Sequence, residues 1–435
     1  MLSVDIRDQE TINKVKQNIF LDEIQGGVVE FVVSNKISEV DKNSMIEILS
    51  EEKLRQIQDK AQTIKIELFQ QDSDQLENLM SYFLQHLKIT NLQIVTKETD
   101  IKHTTLIYCL QIIQKIKGQL SKLYLDFSKS NSNVEVLHKI GDNLQGLSEL
   151  THFSFNFSSN PIGKAKELGK FGKQLEQNSK INKLTELTLN MSNMHMGHAN
   201  VHSYTEFIMK NGQTLKKLDL NLENCSIEKK GTESIKKMIQ NICQVQEFKV
   251  NISNNGLMDL FIKDMLRAFT LKNDYQIQRL EVLLSGNYLS HEVCEFIHST
   301  FVHNSLSSMT YLYLNLSKNK INNKAIEYLI KILEDSNNLK HFKLDVSNSR
   351  EKIEGINRII ECVNKAKNVL DIQIGIRGLG LQATDIQNFI QQIENLKYLQ
   401  LSRFILDIDD SLLQNSDSSF SIVKKDLVFI NQSLF

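Results

Sequence analysis

The sequence predicts an α/β solenoid, with parallel strands on one side and helices on the other. Three observations predict it. A strand-like pattern returns at a near-constant interval. Between copies the hydrophobic period changes from 2 to 3.6. After most copies an asparagine, or a small residue in its place, stands at one fixed offset.

The pattern is plainest in LYLNLSKNKI, residues 312–321. Leu312, Leu314 and Leu316 alternate with polar or amphipathic residues, then Asn319 and Ile321 follow. Alternation at period two describes a strand buried on one face. With Leu312 as the anchor, the pattern recurs at Leu123, Phe153, Leu187, Leu218, Phe248, Leu280, Phe342, Ile372 and Leu399, with fainter copies at Ile64 and Leu92. Consecutive anchors are almost evenly spaced, at the kind of interval that marks a repeat architecture.

Between strands the periodicity is helical. In KAIEYLIKILEDSNNL, Ile326, Leu329, Ile330 and Leu333 fall on one helical face. Residues 227–245 behave alike through Ile235, Met238, Ile239 and Ile242. A strand–turn–helix unit of this size cannot bury its own apolar face, so neighbouring units must stack.

The unit resembles the leucine-rich repeat, in particular the long-repeat, ribonuclease-inhibitor-like type. Leu314, Leu316, Asn319 and Ile321 fit the LxLxxNxL part of that family's motif. The turn asparagine recurs at Asn160, Asn255 and Asn287, with Ser130, Cys225 and Ser349 as permitted substitutes. Met194 and Leu379 stand in that place in two repeats. The family's first leucine would fall at Tyr311, and the upstream apolar residue here is Met309, so a longer strand is expected. The resemblance implies a right-handed horseshoe with parallel strands on the concave side and helices on the convex side. It spans residues 59–403 in about twelve repeats, between a mostly helical N-terminal cap (1–58) and a C-terminal cap or tail (404–435).

Composition agrees with a folded chain: 41% hydrophobic and 24% charged residues. Lys plus Arg number 51 and Asp plus Glu 52, a net of −1, which argues against a large footprint on nucleic acid or anionic lipid. No apolar run reaches the roughly 18 residues of a membrane helix, and MLSVDIRDQETINK carries no secretory pattern. Five scattered cysteines read as reduced thiols in a cytoplasmic protein, with a cytoskeletal or ciliary assembly as one setting.

Residues between the leucines line the exposed strand face. One column reads Lys122, His152, Glu186, Lys217, Glu247, Arg279, Tyr311, His341, Asp371, Tyr398. The other reads Tyr124, Ser154, Thr188, Asp219, Lys249, Glu281, Tyr313, Lys343, Gln373, Gln400. The middle alternates in sign and is expected to neutralise itself. A third column, Asp126, Asn156, Asn190, Asn221, Asn251, Leu283, Asn315 and Asp345, is nearly uniform in Asn and Asp and reads as a structural amide ladder between strands. Alternation of charge ends at Tyr311 and Tyr313. With His341, Lys343 and Tyr398 they form the candidate partner-binding patch, since exposed aromatics on a rigid face are typical interface anchors.

Other clusters carry less. His195, His198 and His202 lack a carboxylate or cysteine to complete a metal set, and His291, Cys294, His298 and His303 belong to or follow a core-packing helix. GIRGLGLQ lacks the order of a phosphate loop, and no nucleophile-elbow or zinc-protease motif occurs. The expectation is a non-enzymatic scaffold without cofactor or metal that binds one or more proteins, with no homo-oligomer implied. Two alternatives follow from the resemblance. One is a substrate receptor of a ubiquitin ligase, with residues 1–58 engaging an adaptor. The other is a GTPase-activating protein of the Ran type, whose usual acidic C-terminal segment is missing here.

Overall fold

The computed structural model describes residues 2–5, 29–34, 63–68, 88–96, 103–162, 165–271, 275–302, 306–349, 357–366, 368–382, 384–385 and 403–407. It divides into two compact units, residues 1–196 with 206–215, and residues 197–205 with 216–435.

In the first unit seven strands run parallel, each paired with the next in sequence. They are β1 (Leu2–Asp5), β2 (Val29–Ser34), β3 (Thr63–Leu68), β4 (Asn91–Thr96), β5 (Lys122–Asp126), β6 (His152–Asn156) and β7 (Glu186–Asn190). The second unit repeats the order with β8 (Lys217–Asn221), β9 (Glu247–Asn251), β10 (Arg279–Leu283), β11 (Tyr311–Asn315), β12 (His341–Asp345), β13 (Asp371–Gly375) and β14 (Arg403–Asp407). The strands after β4 have five residues, and Met309, the upstream apolar position, lies two residues before the start of β11. Parallel order begins with β1 and β2, inside the segment expected to be a mostly helical cap. At the other end, Phe404 stands opposite Ile372. Phe404 is therefore the residue of β14 in line with the anchors; Leu399, the anchor expected after Ile372, lies outside the described residues.

Helices return the chain. Those of the first unit are α1 (His103–Ile116), α2 (Val134–Asn143) and α3 (Ala165–Gln177). Helix α4 (Gly197–Lys210) is shared by the two units. The second unit holds α5 (Glu228–Asn241), α6 (Asp259–Leu266), α7 (His291–Phe301), α8 (Asn323–Asp335) and α9 (Asn357–Lys365). The apolar faces read from the sequence are the buried ones: Ile326, Leu329, Ile330 and Leu333 in α8, and Ile235, Met238 and Ile239 in α5. Strand anchors meet them from the sheet, with Leu218, Phe248, Leu280, Leu312 and Phe342 all buried. Each such side chain contributes roughly 1.5–3 kcal/mol of burial.

Two devices end each strand and start each turn. The first is the asparagine/aspartate column. Asn156, Asn190, Asn221, Asn251 and Asn315 accept the backbone N–H two residues on, at 3.0–3.2 Å, and Asp126 and Asp345 do the same. These are Asx turns, each local to its own repeat. The column is structural, but the inter-strand amide ladder expected from the sequence is not its mechanism. The second device is the turn asparagine, which does bridge repeats. Asn319 donates to Leu316 O (2.8 Å) in its own turn and to Leu284 O (3.0 Å) in the preceding one, and accepts from Leu289 N (3.2 Å). Asn160, Asn255 and Asn287 bond in the same way. The residue before this position is left-handed in successive turns, from Lys129, Ser159 and Asn193 through Asn224, Asn254, Gly286, Lys318 and Asn348 to Gly378. Asparagine and glycine tolerate that conformation best and hold six of these nine places.

Candidate protein-binding surface on the strand face

The sheet register places the exposed columns as the sequence arranges them. Arg279, Tyr311, His341, Asp371 and Arg403 stand in one row across β10 to β14, and Glu281, Tyr313, Lys343 and Gln373 in the next. Tyr311, Tyr313, His341 and Lys343 are therefore brought together. Tyr398 lies outside the described residues.

Both tyrosines are engaged by cations on adjacent strands. The Arg279 guanidinium carbon lies 3.6 Å from the Tyr311 ring centre, and Lys343 Nζ lies 4.5 Å from that of Tyr313. Contacts of this kind are worth about 0.5–2 kcal/mol, depending on desolvation. Arg279 Nε also donates to Glu281 Oε1 at 3.0 Å. On the far side of Tyr311 the His341 ring is 6.1 Å away, and His341 Nδ1 is 3.8 Å from an Asp371 carboxylate oxygen. Asn315 Nδ2 donates to the Tyr313 hydroxyl at 3.4 Å.

Burial sets the electrostatics. It pushes both tyrosine hydroxyls above their ordinary range, so each is harder still to ionise than a free phenol, which is already neutral near pH 7. Burial also lowers the Lys343 ammonium, against the pull of Asp345 and Glu281. The result is a half-buried patch of two neutral phenols, each stacked under a fixed cation. Because those side chains are already held, less rotamer freedom is lost when a partner covers them.

Beside this patch the strand face forms a hollow of about 400 Å³, lined by Lys217, Asp219, Glu247, Lys249, Arg279 and Glu281. Lys217 pairs with Glu247 across strands (3.2 Å), Lys249 with Asp219 (3.7 Å), and Arg279 with Glu281 along its own strand. Three cations meet three carboxylates, so the lining is neutral, as the alternating signs implied. The third pairing differs: Arg279 turns toward Glu281 and Tyr311 rather than back to Glu247. A second hollow of about 300 Å³ lies on the first unit, with Asn91, Gln93, Lys122, Tyr124, His152 and Thr188 in its lining.

The histidine clusters go elsewhere. His198 Nδ1 is 3.3 Å from Glu228, and His298 Nε2 is 2.7 Å from Asp335. Among the described residues no group of three or more His, Cys, Asp or Glu could hold a metal ion. No helix among them is long and apolar enough to cross a membrane. Sequence reasoning missed the Arg279–Tyr311 stack; the signal was present, since Arg279 precedes Tyr311 in the same column.

A parallel strand–turn–helix repeat with a bridging turn asparagine defines a leucine-rich-repeat-like solenoid. No family model matches the chain, and no curated protein matches it. Among solved structures, a chain in the crystal structure of the yeast Rad7–Elc1 complex is similar in fold. It is 15% identical, with a TM-score of 0.52, and the match covers 98% of this chain and 94% of that one. A structure of leiomodin-1 actin-binding site 2 matches in part, at 18% identity over 38% of this chain and 86% of that one, with a TM-score of 0.29.

Proposed function

We propose that the chain is a non-catalytic adaptor that holds another protein on the strand face of its second unit. The carrying observation is the pair of cation-stacked tyrosines, Tyr311 under Arg279 and Tyr313 beside Lys343. Tyr and Arg are the residues on which interface energy concentrates. The long repeat with a helical return supports the ribonuclease-inhibitor-like type, whose members are mostly recognition modules.

The sharper form of the reading is a substrate receptor in ubiquitin ligation, with residues 1–58 engaging an adaptor and the repeats holding the substrate. The observation favouring it over a free-standing scaffold is the likeness to a chain from a two-protein complex, Rad7 with Elc1, over nearly the full length of both chains. Fold likeness alone does not transfer function, so the reading stands on experiment.

The test is affinity purification with quantitative mass spectrometry, wild type beside Tyr311→Ala/Tyr313→Ala. A stoichiometric partner is expected with wild type, reduced at least tenfold with the double variant. Ubiquitin-ligase subunits retained by both forms would support the receptor reading, and their absence would remove it. If every partner other than those subunits is held equally by both forms, the patch is refuted.

A further inference from the structure

The hollow on the first unit has a different chemistry from the charged one. Gln93, Tyr124, Ser154 and Thr188 stand side by side in one row across β4 to β7. All four are uncharged. The same column in the second unit holds Asp219, Lys249 and Glu281, so this fold accepts charge there and does not require a neutral run. By strand spacing the row is roughly 14 Å long, and it floors a hollow of about 300 Å³.

The polar groups of this hollow are mostly unengaged. In the charged hollow each cation has a carboxylate. Here the side chains of Gln93, Lys122, Ser154 and Thr188 make no hydrogen bond or ion pair to a described residue. The Tyr124 ring is 36% exposed. Tyr311 and Tyr313 are each stacked by a cation, but no cation or second ring among the described residues lies on Tyr124. Its hydroxyl is turned to Asp126 Oδ2, to which it donates at 3.3 Å.

Charge narrows the ligand. Lys122 and Glu186 flank His152 in the adjoining row, two strand spacings or about 9.6 Å apart. His152 Nε2 is 3.3 Å from one Glu186 oxygen. Of the other ions on these strands, Lys65 is paired with Glu67 at 3.3 Å, and Asp126 lies in the next row, where it accepts from Ser128 N at 3.0 Å. The lining itself therefore holds one cation and one anion. A cationic ligand would meet Lys122, and an anionic one Glu186. What the lining offers is a strong donor, a strong acceptor, and amide and hydroxyl groups that are both. The complementary group is one that also donates and accepts, a hydroxyl. A ring with hydroxyls on its rim and C–H groups on its face fits both the polar lining and the open face of Tyr124.

We propose that this hollow is a binding site for a neutral carbohydrate, with one sugar ring stacked on Tyr124 and its hydroxyls bonded to Gln93, Lys122, Ser154 and Glu186. The site lies wholly on the first unit and does not depend on the role of the stacked tyrosines of the second.

The test presents the full chain to neutral oligosaccharides displayed at high density, where multivalency raises retention, beside amine-bearing, sulfated and uronic-acid counterparts. Wild type should retain neutral members in preference. Affinity for the best of them, read by titration calorimetry, should fall at least tenfold on Tyr124→Ala and on Ser154→Lys. The second replacement puts into the row the residue type found at Lys249, which this fold already carries, and a thermal melt checks each variant. Tyr124→Phe should bind within about threefold of wild type, because the ring face is kept and the hydroxyl is turned to Asp126. Binding should be insensitive to salt and unchanged by Tyr311→Ala/Tyr313→Ala. Retention of no neutral oligosaccharide above the level of Ser154→Lys would overturn the inference, as would preference for a charged counterpart. Binding that survives Tyr124→Ala, or that weakens with salt, would overturn it equally.

Discussion

Removing the Asn287 side chain should loosen the second unit locally, by an amount the structure sets. Asn287 is 3% exposed. Its Oδ1 accepts from Asn255 N (3.1 Å) and Leu257 N (3.0 Å), and its Nδ2 donates to Ile252 O (3.2 Å) and Leu284 O (2.9 Å). The two carbonyls keep other partners in Asn287→Ala, because Asn255 Nδ2 reaches Ile252 O and Asn319 Nδ2 reaches Leu284 O, each at 3.0 Å. The two N–H groups lose the acceptor that pairs them. An unsatisfied buried donor costs about 1–3 kcal/mol, so the pair should cost about 2–4 kcal/mol, the lower part of the summed range if water reaches one of them. In a solenoid each repeat contacts only its neighbours, so the loss should be local. Hydrogen exchange with site resolution is the assay. The Asn255 and Leu257 amides should exchange roughly 30-fold faster or more, since about 1.4 kcal/mol is a factor of ten. Amides of β5 and β6 should be unchanged. Asn287→Ser should be as costly at these two amides, because Ser130 and Ser349 in the same place donate to the carbonyls Phe127 O and Val346 O at 2.7 Å and replace no acceptor. Unchanged exchange at Asn255 and Leu257 in the alanine variant would refute the view that this residue joins the turns.

Two further outcomes follow from burial. Native alkylation with iodoacetamide, mapped by mass spectrometry, should modify Cys243 first. It is the partly exposed cysteine, whereas Cys109, Cys225, Cys294 and Cys362 are buried. Burial pushes the Cys109 thiol up to about 12 and also raises Cys294, so neither supplies thiolate near neutral pH; fast labelling of either would overturn this. Burial likewise raises the Asp219 carboxyl, with Lys249 opposing and Glu281 adding to it. Its stabilising contribution is then full below the ordinary carboxylate value and is lost as pH rises through the raised folded value. Urea melts should show wild type losing stability relative to Asp219→Asn as pH rises above the ordinary carboxylate value of about 4, and the opposite slope would refute it.

Much of this architecture was legible because register in a parallel solenoid is carried by period and anchor alone. A strand slipped by one residue would turn its leucines outward, so the columns from Lys122 to Asp371 followed once the anchors were aligned. The last strand was harder. KYLQLS and RFILDI both alternate, and nothing local tells which one meets Ile372. The neutral row on the first unit was missed for a different reason. Tyr124, Ser154 and Thr188 stand in a column that the sequence lays out, but a column does not show which polar side chains are left without partners.

Charge shows where sequence columns stop being sufficient. Alternating signs down a column imply pairing across strands, and Lys217 with Glu247 obeys. Arg279 has Glu247 beside it in the same row on one side and Tyr311 on the other, with Glu281 two residues along its own strand. Two residues along a strand share a face, so an arginine can choose among three neighbours. It takes Glu281 and lies over Tyr311, where a planar cation gains a hydrogen-bonded carboxylate and a ring face together. That choice couples the charged hollow to the aromatic patch through one side chain. Arg279→Lys would keep the charge and lose the stacked fork, so it should weaken partner binding more than Lys217→Arg does. A purification in which the two variants retain partner equally would separate hollow from patch and limit the binding face to Tyr311, Tyr313, His341 and Lys343.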